Sequence, residues 1–122
     1  MGWEGIDKRK FPRVRYKCLI KVSQEETGKV LEAYTHNLGS GGICVILDQN
    51  LGLFQKVNIE LFLEEDKNPI SCEGVIVWIV RRHPTTSAET ESFDTGVEFT
   101  DLMQEDKDKI NNLINNILTT ES

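Results

Sequence analysis

The chain has 122 residues, with 28% charged and 39% hydrophobic side chains, values typical of a single soluble globular domain with its own core. Its formal net charge of −6 argues against nucleic acid or an acidic membrane as the main partner. Neither a secretory signal nor an apolar run of membrane-spanning length is visible, so we expect a cytoplasmic protein.

Positive charge is concentrated near the N-terminus. Six basic side chains and no acidic one occur within ten residues: Lys8, Arg9, Lys10, Arg13, Arg15 and Lys17. A basic segment on an acidic body favours a small anionic ligand, because a long polyanion would also meet the acidic body.

The first residues have little tendency to form regular structure. Gly2, Gly5 and Pro12 oppose helices and strands, and the charge run keeps the segment solvated. We therefore predict a flexible arm over residues 1–15 and a folded domain over residues 16–122.

Strand patterns dominate the folded domain. Between residues 56 and 63, apolar side chains alternate with Asn58 and Glu60, which is typical of a half-buried strand. Six such segments are predicted, at residues 16–23, 29–36, 42–47, 56–63, 70–82 and 93–99. Short strands at regular spacing predict an all-β fold, an antiparallel barrel or sandwich.

The last segment changes to a helical period. Its apolar side chains form one stripe of an amphipathic helix: Ile110, Leu113, Ile114, Ile117 and Leu118. Asp101, with Gln104 three residues later, is predicted to cap this helix. We expect the stripe to close one side of the barrel, and the alternative is a homodimer or partner contact.

Two arginines in the basic arm have the chemistry of a nucleotide site. Arg9 and Arg13 are separated by Pro12, so they lie on a bent segment rather than on a helix face. A guanidinium group matches phosphate oxygens and the O6/N7 edge of guanine through paired hydrogen bonds. The alternative is a solvated basic tail.

A polar, glycine-rich segment follows the second predicted strand at residues 37–42. Asn37 can present its amide to a base edge, and the glycines permit positive φ and close approach of a ligand to the main chain. Free N–H groups in such a turn can form an anion-binding nest, and the alternative is a plain tight turn. A P-loop is excluded because no Gly-Lys-Ser/Thr and no helix follow.

Together these two motifs resemble the ligand signature of the PilZ family, over about residues 8–118. In that family an RxxxR motif precedes the first strand and a [D/N]xSxxG motif follows the second. Arg9, Arg13, Asn37 and Gly42 match these motifs. The resemblance implies a six-stranded antiparallel β-barrel with a C-terminal helix, whose arm folds over the barrel mouth and grips cyclic di-GMP.

The resemblance also implies a set of ligand-binding residues: Lys8, Arg9, Arg13, Asn37, Gly39, Ser40, Gly41 and Gly42. Gly39 departs from the family, because it stands at the motif's serine position and Ser40 comes one residue later. Loss of one neutral hydrogen bond there weakens binding by about 0.5–1.5 kcal/mol. Lys8 stands where the family's residue influences whether one ligand or a stacked pair binds.

The predicted function is a cyclic di-GMP receptor that orders its arm and relays this to an effector protein. One rival is a PilZ-type scaffold that binds no nucleotide and acts through protein contacts, which Gly39 favours. A barrel for single-stranded nucleic acid would need more aromatic platforms beside the arm than Phe11 and Tyr16. An enzyme is disfavoured because no nucleophile–base pair or paired carboxylates are visible.

No cofactor or metal is expected. Three cysteines are present, and with the two histidines they make no zinc-binding spacing. Each cysteine lies in an apolar or alternating run, where buried thiols are common.

Overall fold

The computed structural model describes residues 13–63, 68–83 and 91–121, with the main chain alone for Arg13, Thr120 and Glu121. These residues form seven strands and one helix. They are β1 (Arg13–Arg15), β2 (Leu19–Ser23), β3 (Val30–Gly39), β4 (Gly42–Leu47), β5 (Lys56–Phe62), β6 (Ile70–Arg82), β7 (Ser92–Phe99) and α1 (Gln104–Glu121).

Six of the strands close into a ring. β2 pairs with β3 and β5, β6 lies between β5 and β7, and β4 joins β7 back to β3. Every pairing is antiparallel. This confirms the predicted all-β fold, a six-stranded antiparallel barrel with a C-terminal helix.

The additional strand, β1, shares an edge of β3 with β2. β2 pairs with residues 30–34 of β3, and β1 pairs with residues 37–39. The two short strands therefore lie end to end along one side of β3. Residues 13–15 belong to the segment predicted as a flexible arm, and here they form a strand. Residues 1–12, with Lys8 and Arg9, lie outside the described residues.

The barrel core follows from strand alternation. Alternate side chains of β5, at Val57, Ile59 and Leu61, are buried, while Glu60 between them is exposed. The α1 residues Ile110 and Ile114 belong to the same buried cluster, and Leu113 and Ile117 pack against it, so this part of the apolar stripe closes one side of the barrel as predicted. Leu118, the last residue of the predicted stripe, is exposed.

The start of α1 corrects one prediction. The carbonyl of Met103 accepts from the N–H groups of Asp106 and Lys107 at 3.0 and 2.9 Å. Asp101 does not cap the helix, because its carboxylate accepts instead from the N–H of Glu73 at 2.6 Å. This contact extends the β6–β7 pairing by one step, and the helix begins only after it. No helix in the described ranges has the length and apolar character that a membrane span requires.

Candidate functional site

The pairing of β1 with β3 brings the two sequence motifs together. Arg13 lies opposite Gly39, and Arg15 lies opposite Asn37. Between them Val14 and Leu38 form an inward pair, 8% and 0% exposed. Because side chains alternate across a strand, Arg15 and Asn37 lie on the outer face of the barrel.

A β-bulge in β3 turns Asn37 to that outer face. Thr35 pairs with Val45 and Asn37 pairs with Cys44, so His36 is the extra residue between them. Thr35 and Leu38 are both buried although they are three residues apart, which regular alternation would not allow. Without the extra residue, Asn37 would face the barrel interior with Thr35.

The outer face continues across the sheet from Asn37 to Trp78. Cys44 pairs with Asn37 on one side and with Gly96 on the other, and Gly96 pairs with Trp78. A Cβ on Gly96 would collide with Nε1 and Cε2 of the Trp78 indole. The indole therefore lies directly over Gly96, and this contact is possible because glycine has no side chain. Trp78 is half-buried and retains exposed surface.

A groove of about 620 Å³ is lined by Arg15 and by the bulge residue His36, next to Asn37 in the chain. Its lining includes the exposed side chains of two cations, Arg15 and Lys17, and of two acids, Glu32 and Asp48, beside Tyr34 and His36. The Nζ atom of Lys17 lies 4.8 Å from the centroid of the Tyr34 ring. The volume falls within the range of small-molecule sites. The Tyr34 ring offers an aromatic face for stacking, while Glu32 and Asp48 balance the charge of the two cations, so the groove has no net positive charge.

The glycine-rich segment forms the connection between β3 and β4. Gly39 ends β3 and Gly42 begins β4, so the loop itself consists of Ser40 and Gly41. Ser40 is buried, and the carbonyl of Gly41 accepts from the N–H of Phe99 at 3.0 Å.

These glycines do not adopt the left-handed conformation that the sequence led us to expect. Within the described ranges, positive φ occurs at Gly28, Gly52 and Phe54, all of them away from the β3–β4 connection. The anion-binding nest predicted there therefore lacks its backbone signature.

The three thiols are buried, as predicted. Cys18, Cys44 and Cys72 form no disulfide bond, and burial raises the pKa of Cys18. Burial, followed by the negative charges of Asp101 and Asp106, raises the pKa of Cys72 to about 12. Both thiols therefore stay neutral and unreactive at physiological pH. In the described part of the chain, no three His, Cys, Asp or Glu side chains are grouped so that they could hold a metal ion.

The main chain of Arg13 thus lies opposite Gly39, two residues along β3 from Asn37, and Ser40, Gly41 and Gly42 follow directly. Lys8 and Arg9 lie outside the described residues. Sequence reasoning gave no ligand role to Arg15, Tyr34 or Trp78. Arg15 stood out within the basic run, but its position opposite Asn37 depends on strand register.

A family model described as PilZ domain matches residues 7–116. A search of curated proteins found none that matches. Among solved structures, the chain is similar to the PilZ domain of YcgR from Escherichia coli with c-di-GMP, at a TM-score of 0.73 and 11% identity, covering 94% of this chain and 95% of that one.

Two longer proteins are similar as well. The inhibitor of motility MotI/DgrA of Bacillus subtilis has a TM-score of 0.70 and 21% identity, covering 93% of this chain and 53% of that one. The MrkH–c-di-GMP complex of K. pneumonia has a TM-score of 0.71 and 13% identity, covering 95% and 55%. The chain spans about half the length of each, and at these identities the likeness is one of fold.

Proposed function

Because the chain belongs to the PilZ domain family, we propose that it is a receptor that binds cyclic di-GMP on the outer face of the barrel. The observation that supports this most is the β1–β3 register, which sets Arg13 opposite Gly39 and Arg15 opposite Asn37. The solved structures of the YcgR PilZ domain and of MrkH with c-di-GMP support the choice of ligand.

In this proposal, Arg9 and Arg13 bind guanine edges and phosphate oxygens. Each bidentate contact of an arginine with guanine contributes about 1–3 kcal/mol of discrimination. Asn37 contacts a second guanine edge through its amide, which combines a donor and an acceptor. The glycines at positions 39, 41 and 42 carry no side chain and so allow the ligand to approach the main chain closely.

The outer face adds two groups to those of the motifs. Arg15, opposite Asn37, adds a third guanidinium to those of Arg9 and Arg13. Trp78 offers an indole surface at the far end of the row that begins at Asn37. Stacking of a base on an aromatic side chain contributes about 1–3 kcal/mol, so a planar guanine is a suitable occupant between them.

Binding would act on a partner through the arm. β1 connects residues 1–12 to the barrel, so a ligand held by Arg9 and Arg13 would fix the arm against the outer face. Ordering costs roughly 1–2 kcal/mol for each fixed residue, which ligand binding must supply. The fixed arm and the covered face then form the surface that an effector protein recognises. This is a binding role without catalysis.

A second candidate function is a scaffold that binds protein but no nucleotide, which Gly39 at the motif's serine position favours. Isothermal titration of the whole chain with cyclic di-GMP, with GTP as the control nucleotide, distinguishes the two. If the chain is a receptor, we expect saturable binding heat with cyclic di-GMP and none with GTP. Absence of heat with both nucleotides would favour the scaffold function.

Substituting serine at position 39 restores the motif of the family. The backbone of Gly39 has no positive φ, so a side chain brings no strain of that kind. We expect Gly39→Ser to leave cyclic di-GMP affinity unchanged or to tighten it by up to about tenfold, the effect of one added hydrogen bond. Titration calorimetry measures the change.

Gly28→Ser is the matched control for position 39. Gly28 lies in the β2–β3 turn with open space around it, and its φ is +65°. This control should lower stability slightly through backbone strain and leave affinity unchanged. A large loss of affinity in Gly39→Ser alone would mean that the site needs the space at position 39 and that the motif comparison is wrong there.

A further inference from the structure

Thr35 bonds to the short segment between β1 and β2. Its hydroxyl donates to the carbonyl of Tyr16 at 2.6 Å and accepts from the N–H of Cys18 at 3.0 Å. Its own N–H donates to the carbonyl of Cys18 at 2.9 Å. The side chain is 3% exposed and faces the barrel interior. Thr35 of β3 therefore holds both ends of the segment 16–18 through hydrogen bonds.

That segment is where the chain leaves one ladder and enters the next. β1 ends at Arg15 and β2 begins at Leu19, so residues 16–18 connect the two strands, and Thr35 bonds to the main chain at both Tyr16 and Cys18. Main-chain groups buried without partners are costly, and a threonine hydroxyl can donate and accept at once. The Thr35 hydroxyl thus allows the chain to pass from β1 to β2 within three residues.

The junction sets the position of β1. β1 has only three residues, and its register with β3 brings Arg13 to Gly39 and Arg15 to Asn37. Thr35 lies immediately before the bulge that turns Asn37 outward. The same residue therefore borders both elements of the candidate site. Thr35 also lines the groove, but at 3% exposure it leaves almost no surface for a ligand to contact.

We propose that Thr35 is a positioning residue for the ligand: its hydroxyl holds β1 in register with residues 37–39, and so sets the affinity for cyclic di-GMP without touching it. This inference rests on the proposed function for its effect on binding. Its effect on β1 is independent of any ligand.

The test compares Thr35→Val, which keeps the shape and removes the hydroxyl, with Thr35→Ser, which keeps the hydroxyl. In Thr35→Val we expect amide hydrogen exchange at residues 14–18 to be at least about tenfold faster in the free protein, and cyclic di-GMP affinity to be at least about tenfold weaker. Thr35→Ser should restore both to within about threefold of the original chain.

Val57→Ala controls for general loss of stability. Val57 is buried on β5, which does not pair with β1. This variant should lower the melting temperature and leave both the exchange at residues 14–18 and the affinity unchanged. An equal loss of affinity in Val57→Ala and Thr35→Val would overturn the proposal, since it would assign the effect to stability.

Unchanged exchange at residues 14–18 together with unchanged affinity in Thr35→Val would also overturn it. Absence of binding by the original chain would overturn the affinity claim along with the proposed function. In that case, fast exchange in Thr35→Val and slow exchange in Thr35→Ser would show that the failure lies with the ligand and not with the hold of Thr35 on β1.

Discussion

Replacing Arg13 with alanine is expected to weaken cyclic di-GMP binding by roughly 5- to 150-fold, the equivalent of one bidentate arginine–guanine contact of 1–3 kcal/mol. The main chain of position 13 pairs with Gly39, and alanine keeps that pairing. The melting temperature should therefore change little. Titration calorimetry and a thermal melt measure the two quantities.

Two further variants separate geometry from charge at position 13. Arg13→Lys keeps the positive charge but removes the planar guanidinium group that makes paired hydrogen bonds. We therefore expect this variant to lose most of the affinity that Arg13 contributes. Lys29→Ala removes a positive charge beyond the other end of β3, where the side chain is exposed, and should leave affinity unchanged. Equal affinity in Arg13→Ala and the original chain would remove Arg13 from the site.

Ile114→Ala is expected to lower the free energy of unfolding by about 2–5 kcal/mol. Ile114 is 1% exposed and lies in the cluster that α1 shares with the barrel core. Truncation removes buried methyl groups and leaves a cavity that the surrounding strands can fill only in part. Chemical denaturation of the whole chain measures the loss.

Leu118→Ala is the matched control in the same helix. Leu118 belongs to the predicted stripe but is 48% exposed, so its truncation should cost well under half as much. If both variants cost the same, the stripe would not be packed on the barrel as described. A dimer contact through Leu118 would instead appear as a concentration-dependent melting temperature of the original chain.

The strands and the helix could be predicted because their signals are local. Alternation in residues 56–63 and the apolar stripe of residues 110–118 each follow from neighbouring side chains within one element. Both elements are present, as β5 and α1. The role of Asp101 could not be predicted in this way. Its local sequence is typical of a helix cap, but its carboxylate accepts a hydrogen bond from Glu73, which is distant in sequence.

The site depends on pairings between distant parts of the chain, and a single sequence does not encode these locally. β1 has three residues, too few for a period, and its order comes from the ladder with β3. The bulge at His36 is defined only against β4, and Trp78 meets Gly96 only through the β6–β7 register. The motif residues could therefore be named from the sequence, whereas Arg15 and Trp78 could not.

The most direct test of the account is a titration of the isotope-labelled chain with cyclic di-GMP, followed by amide and indole chemical shifts. We expect saturable shifts at Arg15, at Asn37 and the adjoining residues 38–42, and at the Trp78 indole, with little change along β5. Absence of saturable shifts would contradict the receptor function. Trp78 also lines a second groove, with residues such as Asn50, Leu53 and Phe93. Shifts at that groove and at the Trp78 indole, without shifts at Arg15 and Asn37, would contradict the proposed site.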